Sequence, residues 1–148
     1  MPDFLVDANV LVYSVDSSEA DKQERAIAAL RQLDALGHIV LSAQSLSEFY
    51  SASTRRLRVP LSRDEAGAMV IDWSRAWPVY PVTVTAVREA VIGSQRHQMS
   101  YWDSLIWAVA KLNGVPNVLT EDVQSSDLIE GVRFVNPFAP DFDFAMLG

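Results

Sequence analysis

The hydrophobic pattern of the chain consists of short apolar runs separated by longer amphipathic segments. The short runs, predicted to be strands, lie at residues 4–6, 38–41, 79–82, 117–120 and 133–135. In the first, Phe4-Leu5-Val6, no polar residue alternates with the apolar ones, which is typical of a strand buried on both faces. Pro81 interrupts the third run, which indicates a strand at the edge of the sheet.

Between these runs, apolar residues recur at helical spacing. The predicted helices span residues 10–14, 21–36, 45–56, 62–76, 85–96 and 100–113. Asp21, Ser45 and Ser62 are each followed three residues later by glutamate, a capping-box pattern that favours helix starts there. Strands that alternate with helices predict one α/β domain with a mainly parallel, five-stranded sheet.

Composition narrows the class of protein. With 148 residues, of which 49% are hydrophobic and 21% charged, the chain suits a single globular domain with one core. The absence of cysteine excludes disulfides and thiolate metal sites, and fits a reducing cytosol. Neither a signal peptide nor a membrane span is expected, so we predict a cytoplasmic protein. The net charge of −7 repels nucleic acid, so any role there needs a local explanation.

Four acidic residues lie where the predicted strands end or the predicted helices begin. Asp7 directly follows the first strand, and Asp122 comes two residues after the fourth. Glu48 and Asp103 lie in the first turns of predicted helices. Because parallel strands end at a common edge, where ligands bind, we expect all four side chains to converge there. Each also has a purely structural interpretation: a turn residue for Asp122, and helix capping for the others.

The proposed cluster has the chemistry of a hard-cation site. Gathered carboxylates repel one another and raise some of their pKa values unless cations neutralise them. Oxygen ligands without cysteine, and with only two histidines in the chain, favour Mg²⁺ or Mn²⁺ over zinc.

Several segments around these acidic residues resemble the motifs of a known family. Four segments are similar to the successive acidic motifs of PIN-domain nucleases, and most of all to those of VapC-type toxins of bacterial toxin–antitoxin pairs. They are Asp7-Ala8-Asn9, Ser47-Glu48-Phe49, Tyr101-Trp102-Asp103-Ser104-Leu105-Ile106 and Leu119-Thr120-Glu121-Asp122. The resemblance runs from about Phe4 to Pro137. One departure is Gln124-Ser125-Ser126, where many relatives carry Gln-His-Gly.

The resemblance implies a fold, an activity and partners. The fold would be a PIN-like three-layer α/β/α sandwich over residues 1–138, followed by a tail at 139–148 that is either docked or frayed. The activity would be that of a metal-dependent endoribonuclease. Its implied site comprises Asp7, Glu48, Asp103 and Asp122 around one or two Mg²⁺ (or Mn²⁺) ions, with Asn9 and Thr120 orienting ligands or waters. The implied partners are an RNA substrate, a small VapB-type antitoxin and a second copy of the chain.

Two further predictions concern the surface. Arg55, Arg56 and Arg58 form a candidate RNA-contact patch, which would explain how an acidic chain binds RNA. Their alternative role is to place cations at a helix C-terminus. The helices at 21–36 and 45–56 are expected to form the walls of the groove that an antitoxin tail enters.

Two other functions compete with the nuclease. A phosphatase of the haloacid-dehalogenase type also places an aspartate at the end of its first strand, as a covalent nucleophile. That class needs a second aspartate two residues later, where this chain has Asn9. The other competitor is a PIN domain that has lost catalysis and serves as a binding module.

Overall fold

The computed structural model of the chain describes residues 2–122 and 128–148. The first elements are β1 (Phe4–Val6), α1 (Ala8–Tyr13), α2 (Ala20–Leu36), β2 (Ile39–Ser42) and α3 (Ala43–Arg55). The next are α4 (Arg63–Ala76), β3 (Val79–Tyr80), α5 (Val84–His97) and α6 (Tyr101–Leu112). The last are β4 (Asn117–Leu119), β5 (Leu128–Ile129), β6 (Val132–Val135) and a 3₁₀ helix (Phe144–Leu147).

The strands form one sheet in the order β3-β2-β1-β4-β6-β5. All neighbouring pairs are parallel except β5 with β6, which confirms the prediction of a mainly parallel sheet. The predicted number of strands was wrong, because there are six rather than five in the described residues. The missed strand, β5, has two residues, too few to show a periodic pattern, and it joins β6 through a tight turn at Glu130-Gly131. The prediction that Pro81 marks an edge is correct, since β3 is one of the two edge strands of the described sheet.

Helices cover both faces of the sheet, which confirms the three-layer arrangement. Side chains alternate along β1, so that Phe4 and Val6 pack with α1 to α4 on one face. Leu5 points to the other face and packs with α5 and α6. The fully buried residues of β1 therefore separate two hydrophobic clusters, one on each side of the sheet.

Two of the three predicted capping boxes are wrong. Helix α2 begins after Glu19, whose side chain makes no capping hydrogen bond. Helix α3 begins at Ala43, earlier than predicted, because Ser42 Oγ accepts the backbone N–H of Ser45. The capping box at Ser62 is present as predicted. As a consequence, Glu48 is the sixth residue of α3, and capping does not explain its presence.

The C-terminal tail packs against α2. Arg25 Nη1 donates to the carbonyl oxygens of Pro137 and Ala139 at 2.8 and 3.2 Å. Leu147 in the 3₁₀ helix is fully buried in the hydrophobic cluster of that face. The docked alternative for the tail is therefore the one observed. Among the helices of the described chain, none combines the length and hydrophobicity that a membrane span requires.

Candidate metal centre

Strands β1 and β4 bring two functional segments to the same edge of the sheet. They are parallel neighbours, with Val6 aligned with Leu119. The pairing continues one residue further, because the Asp7 N–H donates to the carbonyl oxygen of Leu119 at 2.9 Å. Asp7 and Thr120 are thus the first residues beyond these strands, and Thr120 Oγ1 donates to Asp7 Oδ2 at 2.8 Å.

Asp7 is a buried carboxylate, with 6% of its surface exposed. Its Oδ1 accepts the N–H of Ala8 at 2.7 Å, so it does cap α1, as the structural interpretation held. Capping uses only one of its two oxygens. Burial raises the pKa of Asp7 to about 7, and the nearby charges of Glu48 and Asp122 add to this, against the hydrogen bonds from Thr120 and Ala8. The carboxylate that caps α1 is therefore also one whose negative charge is costly to keep in the folded protein.

Asp103 reaches the same edge from the opposite layer. It lies in the first turn of α6, whose N-cap Ser100 accepts the backbone N–H of Asp103. Burial raises its pKa, as do the charges of Asp122 and Glu48. One carboxylate oxygen each from Asp7, Asp103 and Asp122 lies within 4.8 Å of the other two. We call these three residues the acidic triad.

Glu48 lies close to the acidic triad but is not a member of it. Helix α3 is fixed to β1 by Ser45, whose Oγ donates to the carbonyl oxygen of Val6 at 2.7 Å. Gln44, one turn before Glu48, donates through Nε2 to Glu48 Oε1 at 2.9 Å and to the Trp102 carbonyl oxygen at 3.2 Å. Gln44 therefore connects α3 to the start of α6, where Asp103 lies. Its own Oε1 is a buried acceptor that no donor in the described residues reaches.

Asn9 and Thr120, to which the resemblance assigned the orienting of ligands or waters, connect two members of the triad, Asp7 and Asp122. Asn9 Nδ2 lies 3.0 Å from both Thr120 Oγ1 and Asp122 Oδ2, and 3.5 Å from Asp7 Oδ2. Thr120 Oγ1 donates to Asp7 and accepts the backbone N–H of Asp122 at 3.2 Å. The contacts of Asn9 with Thr120 and Asp122 join residues more than 110 positions apart in the chain.

No cationic side chain of the described residues neutralises this cluster. Across residues 2–122 and 128–148, neither the triad nor Glu48 forms an ion pair with lysine, arginine or histidine. Buried like charges without a counterion are costly unless protons or metal ions offset them. The donor set consists of hard carboxylate oxygens, so it fits Mg²⁺ or Mn²⁺.

The triad opens into a groove of about 980 Å³. Helix α3 forms one wall with Gln44 and Glu48, which its C-cap residue Arg56 extends, and α1 and the start of α6 contribute others. Trp102, adjacent to Asp103, lines the groove with 62% of its surface exposed. The expectation that α2 forms a wall is wrong, because none of its residues lines this groove in the described chain.

The three arginines of the predicted patch do not line the same depression. Arg56 lines the groove of the triad, whereas Arg55 lines a separate depression together with Arg63. Arg58 is exposed but lines neither. Arg55 also lies in the last turn of α3, in agreement with the alternative of a cation at a helix C-terminus.

Sequence reasoning missed several residues beside the site. Gln44 carries a usable signal, since it lies four residues before Glu48 on the same helix face. Tyr13, Lys22 and Glu121 form a further set of contacts next to Asp122. No motif marks that set, because its members are separated by up to 108 positions.

Carboxylates gather at the carboxyl edge of a mainly parallel sheet. This arrangement defines the chain as an α/β protein with a candidate divalent-cation site. The PIN-domain family model matches residues 4–128, and the chain belongs to the PIN-domain family. This membership leaves the haloacid-dehalogenase alternative without support. The segment Gln124-Ser125-Ser126, where the chain departs from many relatives, lies outside the described residues.

Solved structures show the same fold. FitAB bound to the DNA fragment IR36 aligns with a TM-score of 0.68 and 18% identity, covering 94% of this chain and 98% of that one. DNA-bound VapBC from Salmonella typhimurium aligns with a TM-score of 0.66 and 16% identity, covering 93% and 99%. A toxin–antitoxin complex from Klebsiella pneumoniae aligns with a TM-score of 0.65 and 16% identity, covering 92% and 98%. No curated protein matches the chain in sequence.

Proposed function

We propose that the chain is a Mg²⁺- or Mn²⁺-dependent endoribonuclease and the VapC-type toxin of a type II toxin–antitoxin pair. The observation that carries the proposal is the acidic triad, in which three carboxylates from distant parts of the chain meet with no lysine, arginine or histidine paired to them in the described residues. Family membership supports the nuclease class. The Klebsiella pneumoniae structure, described as a toxin–antitoxin complex, supports the toxin and antitoxin roles, together with the FitAB and VapBC structures.

The residues of the site have separate tasks in this mechanism. Asp7, Asp103 and Asp122 would hold the metal, and Glu48, held by Gln44, would add a fourth carboxylate from the groove wall. The bound metal supplies Lewis-acid stabilisation of the scissile phosphate and a water of lowered pKa. Asn9 and Thr120 keep the carboxylates oriented through their hydrogen bonds. Arg56, in the same groove, would contact a backbone phosphate.

The partners follow from the same groove. In this proposal an RNA strand enters the groove, and an antitoxin segment that occupies it would cover the triad and block the substrate. A homodimer is part of the proposal through the resemblance to VapC-type toxins.

Cleavage of RNA by purified wild type and by Asp7→Asn tests this proposal. We expect metal-dependent cleavage by wild type, its loss on adding EDTA, and at least a 100-fold lower rate in Asp7→Asn, a drop that group removal commonly causes in an active site. Asp72→Asn, on the exposed surface of α4, is the matched control and should cleave like wild type.

Two results would contradict the proposal. Hydrolysis of a phosphomonoester without RNA cleavage would indicate phosphatase chemistry. Binding of RNA by wild type with no cleavage in either metal would indicate an inactive binding module.

A further inference from the structure

Tyr13, Lys22 and Glu121 form a closed set of contacts beside the acidic triad, which we call the Lys22 clamp. Lys22 Nζ lies 2.6 Å from Glu121 Oε2 and donates to Tyr13 Oη at 3.1 Å. Tyr13 Oη in turn donates to Glu121 Oε1 at 2.8 Å. Lys22 Nζ also lies over the Tyr13 ring, 4.7 Å from its centroid. Both carboxylate oxygens of Glu121 are thus held from α1 and α2.

The clamp acts on the residue that precedes Asp122. Strand β4 ends at Leu119, so strand pairing does not hold the two residues after Thr120. The Glu121 backbone N–H donates to Asn9 Oδ1 at 3.2 Å, and Asp122 Oδ2 accepts from Asn9 Nδ2 at 3.0 Å. Asp122 is the exposed member of the triad, whereas Asp7 is buried and Asp103 half-buried. The Asp122 backbone N–H also donates to Thr120 Oγ1 at 3.2 Å. Beyond that contact, the position of Asp122 depends on Asn9 on one side and on the clamped Glu121 on the other.

The charges of the clamp separate its role from that of a counterion. The ammonium group of Lys22 pairs with Glu121 and with none of the triad carboxylates. Because Lys22 and Glu121 cancel each other, the clamp leaves the charge of the triad available for a divalent cation. A lysine that served to neutralise the triad would instead contact one of its members.

We propose that the Lys22 clamp positions Asp122 for divalent-cation binding, with Tyr13, Lys22 and Glu121 as positioning residues. This inference rests on the proposed function only in taking the acidic triad as the cation site. In the clamp, the side chain of Lys22 acts through Glu121, and that of Glu121 acts through the backbone that it shares with Asp122.

Calorimetric measurement of Mg²⁺ affinity tests the inference, because Lys22→Met separates positioning from simple electrostatics. Removing a positive charge near a cation site should tighten cation binding if charge alone mattered. Positioning predicts the opposite: about 10-fold weaker Mg²⁺ binding, a typical cost when a group that orients metal ligands is lost. Lys22→Arg keeps the pairing with Glu121 and should restore most of the affinity.

Lys111→Met is a matched control, since Lys22 and Lys111 are the two lysines of the chain. Lys111 pairs with Glu89 and Glu130, in the layer on the other side of the sheet. The two variants have the same net charge, and Lys111→Met should bind Mg²⁺ like wild type. Unchanged or tighter binding in Lys22→Met would overturn the clamp.

A double-mutant cycle with Glu121→Gln adds a second criterion. Glu121→Gln should also weaken Mg²⁺ binding, and the double variant should be no weaker than the worse single variant, because both changes break one contact. Fully multiplicative losses would overturn the clamp, since they indicate two independent effects.

Hydrogen exchange of the metal-free protein reads out position without any ligand. Lys22→Met should speed exchange of the Glu121 and Asp122 amides, which donate to Asn9 and Thr120, and leave that of α6 unchanged. The clamp is refuted if wild type and Lys22→Met both bind Mg²⁺ with equal affinity and exchange their amide hydrogens at equal rates. Failure of the proposed function is seen separately, as a wild type that binds Mg²⁺ and cuts no RNA.

Discussion

Glu130 and Asp7 are both acidic residues just beyond the end of a strand, yet their pKa values move in opposite directions. The pKa of Glu130 is lowered to about 2, chiefly by a hydrogen bond from His97 and then by Lys111 and Arg96. The pKa of Asp7 is raised to about 7, chiefly by burial. Around Glu130, His97 Nε2 lies at 2.7 Å, Lys111 Nζ at 3.1 Å and Arg96 Nη1 at 3.3 Å from its oxygens.

The difference indicates what each carboxylate is for. Glu130 sits in the turn between β5 and β6 and joins it to α5 and α6, so its charge is fully used within the fold. The acidic triad has no such partners in the described chain, and its negative charge remains available to a ligand. Uncompensated carboxylates distinguish a binding site from a structural ion pair.

The largest expected effect comes from removing the charge of Asp7 in metal-free protein. A raised pKa means that stability is fully present below about pH 3.8 and is lost as pH rises through about 7. At pH 8, in EDTA, Asp7→Asn should therefore raise the free energy of unfolding by about 2–4 kcal/mol, because it removes a charge that burial disfavours and so raises the pKa of Asp7 to about 7. Urea unfolding at pH 8 and pH 4 measures it, and the gain should vanish at pH 4.

The exposed Asp72 provides the control, since Asp72→Asn should not alter stability at either pH. A variant Asp7→Asn that is less stable than wild type at pH 8 would contradict the view that Asp7 is strained by its charge.

The next effect is stabilisation by the metal itself. Mg²⁺ at 100 times its Kd should stabilise the wild type by about 2.7 kcal/mol, because it binds only the folded state. Asp103→Asn, which removes one carboxylate of the triad, should lose most of this gain. Thermal unfolding with and without Mg²⁺ measures the difference, and an equal shift in both proteins would place the ion elsewhere.

The smallest effect belongs to Glu130, with the opposite sign to that of Asp7. A lowered pKa means stability that is present above about pH 4.5 and is lost as pH falls through about 2. Glu130→Gln should destabilise the protein by about 1 kcal/mol at pH 7, since solvent screens a partly exposed pair. Urea unfolding should show that this loss of stability fades towards pH 2. Glu24→Gln, at an exposed position on α2, is the control. A loss that persists at pH 2 would argue against the ion pairs as its source.

Much of the site could be predicted from the sequence, because parallel strands deliver their next residues to one edge. Asp7, Asp103 and Asp122 meet as predicted, and Asn9 and Thr120 lie between them. The starts of the helices were less predictable. Ser42, at the end of β2, caps α3 in place of Ser45, which the sequence pattern favoured. That shift placed Glu48 beyond the first turn, where only its position in the groove accounts for it.

The order of strands, helices and acidic residues along the chain determined the α/β class and the edge at which the carboxylates gather. Only the tertiary structure decided that Glu48 stands apart from the triad, that Arg56 rather than Arg55 or Arg58 lines the groove, and that Lys22 pairs with Glu121. The reason is that backbone periodicity acts over a few residues and can be read locally. Charge compensation depends on distances between side chains that folding brings together from remote positions.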